Sequence, residues 1–172
     1  MLPIKTILFP TDFSPRSEFA LRLAGSLARD YGARLLILHV VTPPSAAPMN
    51  GVAPVEAEDS RDKVRAMLGR LHAADHKVQE EHLLVEGDPV REILRVARET
   101  RTDVIVMATH GWTGVARLLM GSVAEGVVRK SQCPVLSVKA PMAAEKPAKK
   151  AKKSDAALVP AGRRPRQVSG KR

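Results

Sequence analysis

The chain has 172 residues, of which 44% are hydrophobic and 3% aromatic, with a net charge of +10 and one cysteine. This length suits one domain with an aliphatic core, and a single cysteine excludes an internal disulfide framework. The sequence has no recognisable signal peptide and no run near the ~20 apolar residues that cross a bilayer, so we expect a cytoplasmic protein without membrane insertion.

The positive charge is concentrated at the C-terminal end of the chain. Residues 141–172 carry ten Lys/Arg against two Asp/Glu, a net charge of +8, whereas residues 1–140 carry only +2. The terminal segment has little to bury, which predicts a disordered basic tail after a domain spanning 1–140. A solvated tail is the simpler interpretation. The competing one is a non-specific contact with nucleic acid or another anionic surface.

Five strand-like segments alternate with patterns typical of helices. The predicted strands are 6–9, 34–41, 77–87, 103–108 and 134–138. The predicted helices occupy 14–32, the region around 64–71, 88–97 and 122–131. Two helices begin with a capping side chain followed by proline, at Ser14-Pro15 and Asp88-Pro89, and Gly32 is a typical helix end. The proline-rich segment 41–60 predicts a surface loop.

This alternation predicts an α/β fold with a five-stranded, mostly parallel sheet and helices on both faces. The third strand carries many charges and therefore suits a sheet edge. In such sheets, ligands bind beyond the carboxyl ends of the strands, where the strand order reverses. The candidate site segments are therefore those that follow strands: Pro10-Thr11-Asp12, Val40-Val41 and the stretch 107–122, MATHGWTGVARLLMGS.

The glycines of the stretch 107–122 have two interpretations. Neither the dinucleotide fingerprint G-x-G-x-x-G after the first strand nor the phosphate loop G-x-x-x-x-G-K-[ST] is present. Gly111 follows a strand end and Gly121 precedes a helix, whose first N–H groups attract anions. Backbone around Gly111, Gly121, Ser122 and Val123 would then cradle a phosphate. Alternatively, Ser122 and Glu125 form a capping box that satisfies the helix end without a ligand.

Other polar side chains have competing interpretations. Asp12 either faces a ligand or bonds to neighbouring backbone amides in an Asx-type turn. His39, in an apolar strand, is expected to be a hydrogen-bonded core residue, and Cys133 a buried, unreactive thiol. His110 either meets a phosphate or faces water. The remaining histidines show no ligand spacing with cysteine, so we expect no metal site made of side chains alone (His72, His76 and His82).

Residues 1–140 resemble the universal stress protein family. The resemblance lies in ILFPTDFS, LLILHVV, GDPVREI and the long stretch MATHGWTGVARLLMGSVAEGVVRKSQCPVLSV. Nucleotide-binding members carry glycine, two residues, glycine, nine residues, then glycine and Ser/Thr. The second and third glycines match at Gly111 and Gly121-Ser122, but Ala108 stands where the first glycine belongs. An added methyl group there would crowd a sugar or phosphate, and we expect binding to be weakened or retained rather than abolished.

The resemblance implies a Rossmann-like sheet with strand order 3-2-1-4-5 and a homodimer formed through strand 134–138. It implies ATP as ligand, with ADP or AMP as alternatives, and Mg²⁺ bridging the phosphates. Carried over onto this chain, the nucleotide-binding residues are Pro10, Thr11, Asp12, Val40, Met107, Ala108, His110, Gly111, Gly121, Ser122 and Val123.

The resemblance also implies how these residues share the nucleotide. Pro10 and Thr11 would shape the pocket wall, and Asp12 would lie near the nucleoside. The backbone of Val40 would bond to adenine, and Met107 would pack against the base. Gly111, Gly121, Ser122 and Val123 would line the phosphates.

Three functions remain open on this basis. The first is an ATP-binding stress-response module that acts by binding, with slow or absent hydrolysis. The second is a true ATPase, which would need His110 or Asp12 beside the terminal phosphate. The third is a nucleotide-free interaction protein, favoured if Ala108 closes the pocket.

Overall fold

The computed structural model describes residues 3–43, 57–109 and 120–139. The basic tail, His110, Gly111 and most of the proline-rich segment lie outside these ranges. The elements in chain order are β1 (Thr6–Pro10), α1 (Pro15–Tyr31), β2 (Arg34–Val41), α2 (Ala57–Leu68), β3 (Glu80–Glu86), α3 (Pro89–Glu99), β4 (Val104–Ala108), α4 (Ser122–Lys130) and β5 (Val135–Val138). In this part of the chain, no helix is long and apolar enough to cross a membrane.

The five strands form one sheet in the order β3-β2-β1-β4-β5, and every neighbouring pair is parallel. The expected strand order is therefore confirmed. The charged third strand lies at one edge, and β5 lies at the other. The strand order reverses between β1 and β4. The crossover connections diverge at this point and leave a crevice at the carboxyl ends of these two strands.

Helices cover both faces of the sheet, as the alternation predicts. On one face, Ile7 and Phe9 of β1 pack in a cluster with residues of α1 and α2. On the other face, Leu8 packs with residues of α3 and α4. The alternation of Ile7, Leu8 and Phe9 between faces follows from the two-residue period of a strand. All three side chains are completely buried, so the centre of the sheet is a rigid support for whatever lies at its ends.

The helix starts and ends read from the sequence are largely confirmed. The Ser14 hydroxyl accepts a hydrogen bond from the Ser17 N–H at 3.2 Å, and an Asp88 carboxylate oxygen accepts one from the Arg91 N–H at 2.9 Å. Each cap is followed by proline in the first turn of its helix. Gly32 ends α1 with φ 62° and ψ 31°, a left-handed conformation that glycine adopts without strain.

Three local expectations are wrong. The expected loop 41–60 ends earlier, because α2 begins at Ala57. The same helix ends at Leu68, so Leu71 belongs to the connection that follows it. Ser122 is the first residue of α4 rather than its cap: Gly121 is the N-cap, and no side chain caps this end. The capping box of Ser122 and Glu125 therefore does not form.

Helices α3 and α4 approach each other closely at a glycine. A Cβ atom on Gly126 would lie 2.8 Å from Cγ2 of Val90, so a larger residue would force the helices apart. This contact fixes α4 against α3. As a result, the N-terminus of α4 is held beside the carboxyl end of β4.

A cleft at the carboxyl edge of the sheet

A cleft of about 430 Å³ opens beyond the carboxyl ends of β1, β2 and β4. This volume is within the range of small-molecule binding sites. Nine residues that the sequence singled out line it: Pro10, Thr11, Asp12, Val40, Met107, Ala108, Gly121, Ser122 and Val123. The other two, His110 and Gly111, lie outside the described residues. The nine residues come from β1 and the turn after it, β2, β4 and α4 with its N-cap, which are far apart in sequence.

The turn from β1 into α1 is held by a dense set of hydrogen bonds around Thr11. Its N–H donates to the carbonyl oxygen of Leu38 at 2.8 Å, which extends the β1–β2 pairing by one residue. Its hydroxyl oxygen accepts from the Phe13 N–H at 3.1 Å and from the Ser17 hydroxyl at 2.9 Å. Because Thr11 is also buried, this wall of the cleft is shaped before any ligand arrives.

Asp12 forms the turn that the sequence offered as one interpretation, and it also lies on the cleft wall. A carboxylate oxygen accepts a hydrogen bond from the Ser14 N–H at 3.0 Å, which confirms the Asx-type turn. The same side chain lines the cleft. The next residue, Phe13, has φ 61°, a conformation that non-glycine residues seldom adopt. Such strain persists where surrounding contacts over-determine it, often at binding sites.

The sequence predicted His39 to be a core residue, but in the structure it lies on the cleft wall. It is half-buried, and its Nδ1 lies 2.8 Å from the Thr11 carbonyl oxygen. Because a carbonyl only accepts, Nδ1 carries the proton, and Nε2 of the neutral ring keeps its lone pair. The Phe13 ring packs against the imidazole with centroids 4.3 Å apart. The predicted hydrogen-bond satisfaction of His39 is confirmed, but its full burial is wrong.

The N-terminus of α4 supplies the opposite wall. The Gly121 N–H donates to the Thr109 carbonyl oxygen at 2.7 Å, so this amide is engaged by the protein. Helix geometry leaves the N–H groups of Ser122, Val123 and Ala124 without intrahelical acceptors. All three residues line the cleft. The positive end of the helix dipole therefore faces the cleft, and an anion is the ligand group that it favours.

The last residues of β4 form the back of the cleft. Met107 is buried and packs with the cluster under α3 and α4. Ala108 is half-buried, packs against the cluster under α1, and lines the cleft. Val40, at the end of β2, is half-buried as well. Val40 and Met107 pack with the same cluster and form an apolar surface that can contact the face of a flat ring, whereas Ala108 packs on the other face of the sheet.

Sequence reasoning missed several residues of the cleft wall, among them His39, Ser17 and Thr42. A usable signal existed for His39, since it directly precedes Val40 at the same strand end. Ser17 was hidden because it lies one turn inside α1, where helical periodicity suggests only packing.

The arrangement has an apolar wall, a carboxylate and an anion-binding helix end in one cleft. A ligand that matches it carries a flat ring, hydroxyl groups and an anionic group. The molecule is thus a doubly wound α/β domain with a cleft at the topological switch point.

Comparison with known proteins agrees with this assignment. The model of the universal stress protein family matches residues 3–139. Universal stress protein MJ0531 of Methanocaldococcus jannaschii is 35% identical over 143 residues, covering 80% of this chain and 83% of its own length. The chain therefore belongs to the universal stress protein family.

Solved structures extend the comparison to three dimensions. Protein MJ0577 of the same organism is similar with a TM-score of 0.65 and 30% identity, over 81% of this chain and 99% of its own. A universal stress protein solved in complex with cAMP has a TM-score of 0.55 and 27% identity, over 80% of this chain and 98% of its own. The second structure shows that a relative binds an adenine nucleotide.

Proposed function

We propose that this protein binds ATP together with Mg²⁺ in the cleft and acts as a stress-response regulatory module, with hydrolysis slow or absent. The observation that carries the proposal is the meeting of an apolar wall and an uncapped helix N-terminus in one cleft of nucleotide size. The cAMP complex of a relative supports the adenine part of the ligand.

The proposal assigns a role to each wall. Adenine packs between Val40 and Met107 and bonds to the backbone of Val40, which selects the base without a charged side chain. Asp12 accepts hydrogen bonds from ribose hydroxyl groups. The phosphates lie at the N–H groups of Ser122 and Val123, with the backbone of Gly111 completing the cradle and His110 beside it.

The residues around the phosphate position fit Mg²⁺. Ser122, on the cleft wall at the start of α4, carries a hydroxyl group, a hard oxygen donor of the type that Mg²⁺ prefers alongside phosphate oxygens and water. When bound, the ion neutralises phosphate charge. The protein's own part is to hold the base against Val40 and to orient the phosphates at α4.

The nucleotide content of the purified protein tests this function. The protein is denatured directly after purification, and released nucleotide is identified and quantified by chromatography. Near one ATP per chain supports the proposal. ADP in its place supports the ATPase alternative and calls for a turnover assay. An empty protein that also gives no heat with Mg-ATP in calorimetry contradicts both.

One observation favours a nucleotide-free interaction protein as second candidate. Ala108 lines the cleft, at the position where the nucleotide-binding motif of the family has glycine. If the methyl group of Ala108 excludes the sugar, function moves to the protein surface. The same nucleotide measurement separates this candidate from the first.

We also propose a homodimer formed through residues 134–138. In the sheet, β5 is an edge strand, and Leu136 on it is 40% exposed. Edge strands with apolar residues are pairing surfaces. The variant Leu136→Lys should be monomeric by light scattering, whereas Leu23→Lys on exposed α1 surface should remain dimeric. A monomeric parent protein would contradict this proposal and leave the nucleotide proposal intact.

A further inference from the structure

Two histidines and a glutamate converge at the edge of the sheet, away from the cleft. One potential ligand atom from each of His72, Glu80 and His82 lies within 4.8 Å of the others. Glu80 is the first residue of β3, so the cluster lies near the amino end of this strand, whereas the cleft lies beyond the carboxyl ends. The two imidazole rings are nearly perpendicular, with centroids 5.4 Å apart. The cluster is thus separate from the proposed nucleotide site.

The fold brings these three side chains together for simple reasons. Glu80 and His82 are two residues apart on a strand, and therefore point to the same face of the sheet. His72 returns to that face because the connection between α2 and β3 is anchored next to it. Ala73, in this connection, is 4% exposed and packs closely against α1. A Cβ atom added to Gly25 of α1 would lie only 2.8 Å from the Cβ of Ala73.

Backbone contacts orient two members of the cluster. Nε2 of His82 lies 2.7 Å from the carbonyl oxygen of Leu71. Since the carbonyl can only accept, one ring nitrogen donates to the protein, and the other keeps the lone pair that binds metals. One carboxylate oxygen of Glu80 accepts the N–H of Ala73, and the other lies 2.8 Å from Nδ1 of His72. The contacts of His82 with Leu71 and of Glu80 with Ala73 are outer contacts of the kind that usually hold metal-binding histidines and carboxylates.

A hydrogen-bonded pair of His72 and Glu80 accounts for only part of this arrangement. The His72 side chain is 56% exposed, and an ion pair at such a position stabilises a protein by about 1 kcal/mol or less. The pair of His72 and Glu80 does not explain why the imidazole of His82 also lies within reach of the Glu80 carboxylate. Two imidazoles and a carboxylate are, however, the donor set of three-ligand zinc sites that leave a fourth position open.

We propose that His72, Glu80 and His82 bind a divalent transition-metal ion, foremost Zn²⁺, with an open coordination position toward solvent at exposed His72. Imidazole donors favour Zn²⁺ over Mg²⁺, which prefers all-oxygen surroundings. The ion would join the connection between α2 and β3 to the edge strand. This site requires no nucleotide and makes no use of the cleft.

Calorimetric titration of the full-length protein with ZnCl₂, after chelator treatment and removal of the chelator, tests the site. The parent protein should bind Zn²⁺ at a high-affinity site that His72→Ala, Glu80→Gln and His82→Gln each weaken at least ~100-fold, since losing a ligand exceeds the loss of an outer contact. Glu80→Gln keeps an oxygen for the Ala73 N–H and therefore keeps the local fold. His76→Gln, an exposed histidine of the same connection, is the matched control and should bind as the parent does.

Substitution with Co²⁺ gives a second, spectroscopic readout. A nitrogen- and oxygen-ligated Co²⁺ of low coordination number absorbs visible light, and this absorption should disappear in His72→Ala and His82→Gln but persist in His76→Gln. Equal Zn²⁺ affinity in the parent and in the three ligand variants would overturn the proposal, as would the absence of any Zn²⁺ binding. Neither result bears on the nucleotide content of the cleft.

Discussion

The carboxyl and amino ends of the sheet differ in how their polar groups are used. At the carboxyl end, the walls of the cleft are built from backbone N–H groups at α4 and from side chains already bonded within the turn at Thr11. At the amino end of β3, three side chains with lone pairs converge. The first arrangement attracts anions and the second attracts cations. The sites proposed at the two ends therefore have opposite electrostatic preferences, and changes confined to one end should leave the other unaffected.

The largest effect is expected from a substitution at the centre of the sheet, which supports both of its ends. Phe9 is fully buried at the centre of the sheet, so Phe9→Ala should lower the free energy of unfolding by about 3–5 kcal/mol. Urea denaturation measures this loss. The control is Tyr31→Ala, since Tyr31 is 40% exposed, and a change below about 0.5 kcal/mol is expected there. Equal losses in the two variants would mean that β1 is not the structural centre.

Next in size is the stabilisation by ligands at each end. A ligand present at about 100 times its Kd should raise the free energy of unfolding by about 2.7 kcal/mol. Zn²⁺ and AMP, a nucleotide that sequesters little metal, should stabilise additively, because separated sites add within about 0.5 kcal/mol. Thermal and urea unfolding with neither, either and both ligands measures this. A clear excess or deficit of the combined effect would show that the two ends are coupled.

A charge at α4 should affect the cleft alone. Ser122→Asp places a carboxylate at the first residue of α4, where the helix dipole favours it. Stability should therefore be unchanged or slightly raised, while ATP affinity should fall roughly 10- to 100-fold through repulsion of the phosphates. Calorimetry with ATP and with adenosine measures the two affinities. The affinity for adenosine should change little, because adenosine carries no phosphate.

The control for this charge is Ser122→Asn, because asparagine is similar in size to aspartate but carries no charge. This variant should bind ATP with close to the parent affinity. If the asparagine variant lost as much affinity as the aspartate variant, the phosphates would not lie at this helix end. Zn²⁺ binding should be the same in all three proteins.

The smallest expected effect concerns the methyl group of Ala108. Ala108→Gly restores the glycine of the binding motif and should raise ATP affinity by no more than about tenfold, or about 1.4 kcal/mol. Glycine in a strand should also lower the free energy of unfolding by roughly 0.5–1 kcal/mol. Calorimetry and urea denaturation give the two numbers. Weaker ATP binding in this variant would show that the methyl group contributes a contact.

Periodicity and capping residues were enough to predict the alternating strands and helices, because each depends on neighbours in sequence. The starts at Ser14 and Asp88 were found for this reason. The strand order came from family resemblance, since pairing between distant strands leaves no local trace. The cleft segments 10–12, 40–41 and 107–122 were predicted because each follows a strand, and the resemblance then assigned roles to residues within them. The prediction that Ser122 caps α4 was wrong, because Gly121, one position earlier, is the N-cap of this helix.

The convergence of His72, Glu80 and His82 was not predicted, for a related reason. Spacing rules were applied to histidine and cysteine, whereas the cluster combines histidine with glutamate. The pattern E-x-H at Glu80 and His82 was visible as a same-face pair on a strand. Its third member, His72, becomes a neighbour only through a connection whose course is set by the packing of Ala73 against α1.

The hydrogen bond between the Gly121 N–H and the Thr109 carbonyl oxygen has a consequence for how this protein can diversify. It joins the residue after β4 to the residue before α4 beside the cleft, so the strand end and the helix end keep one separation. Substitutions elsewhere on the cleft wall can therefore change ligand preference while this junction and the sheet stay the same.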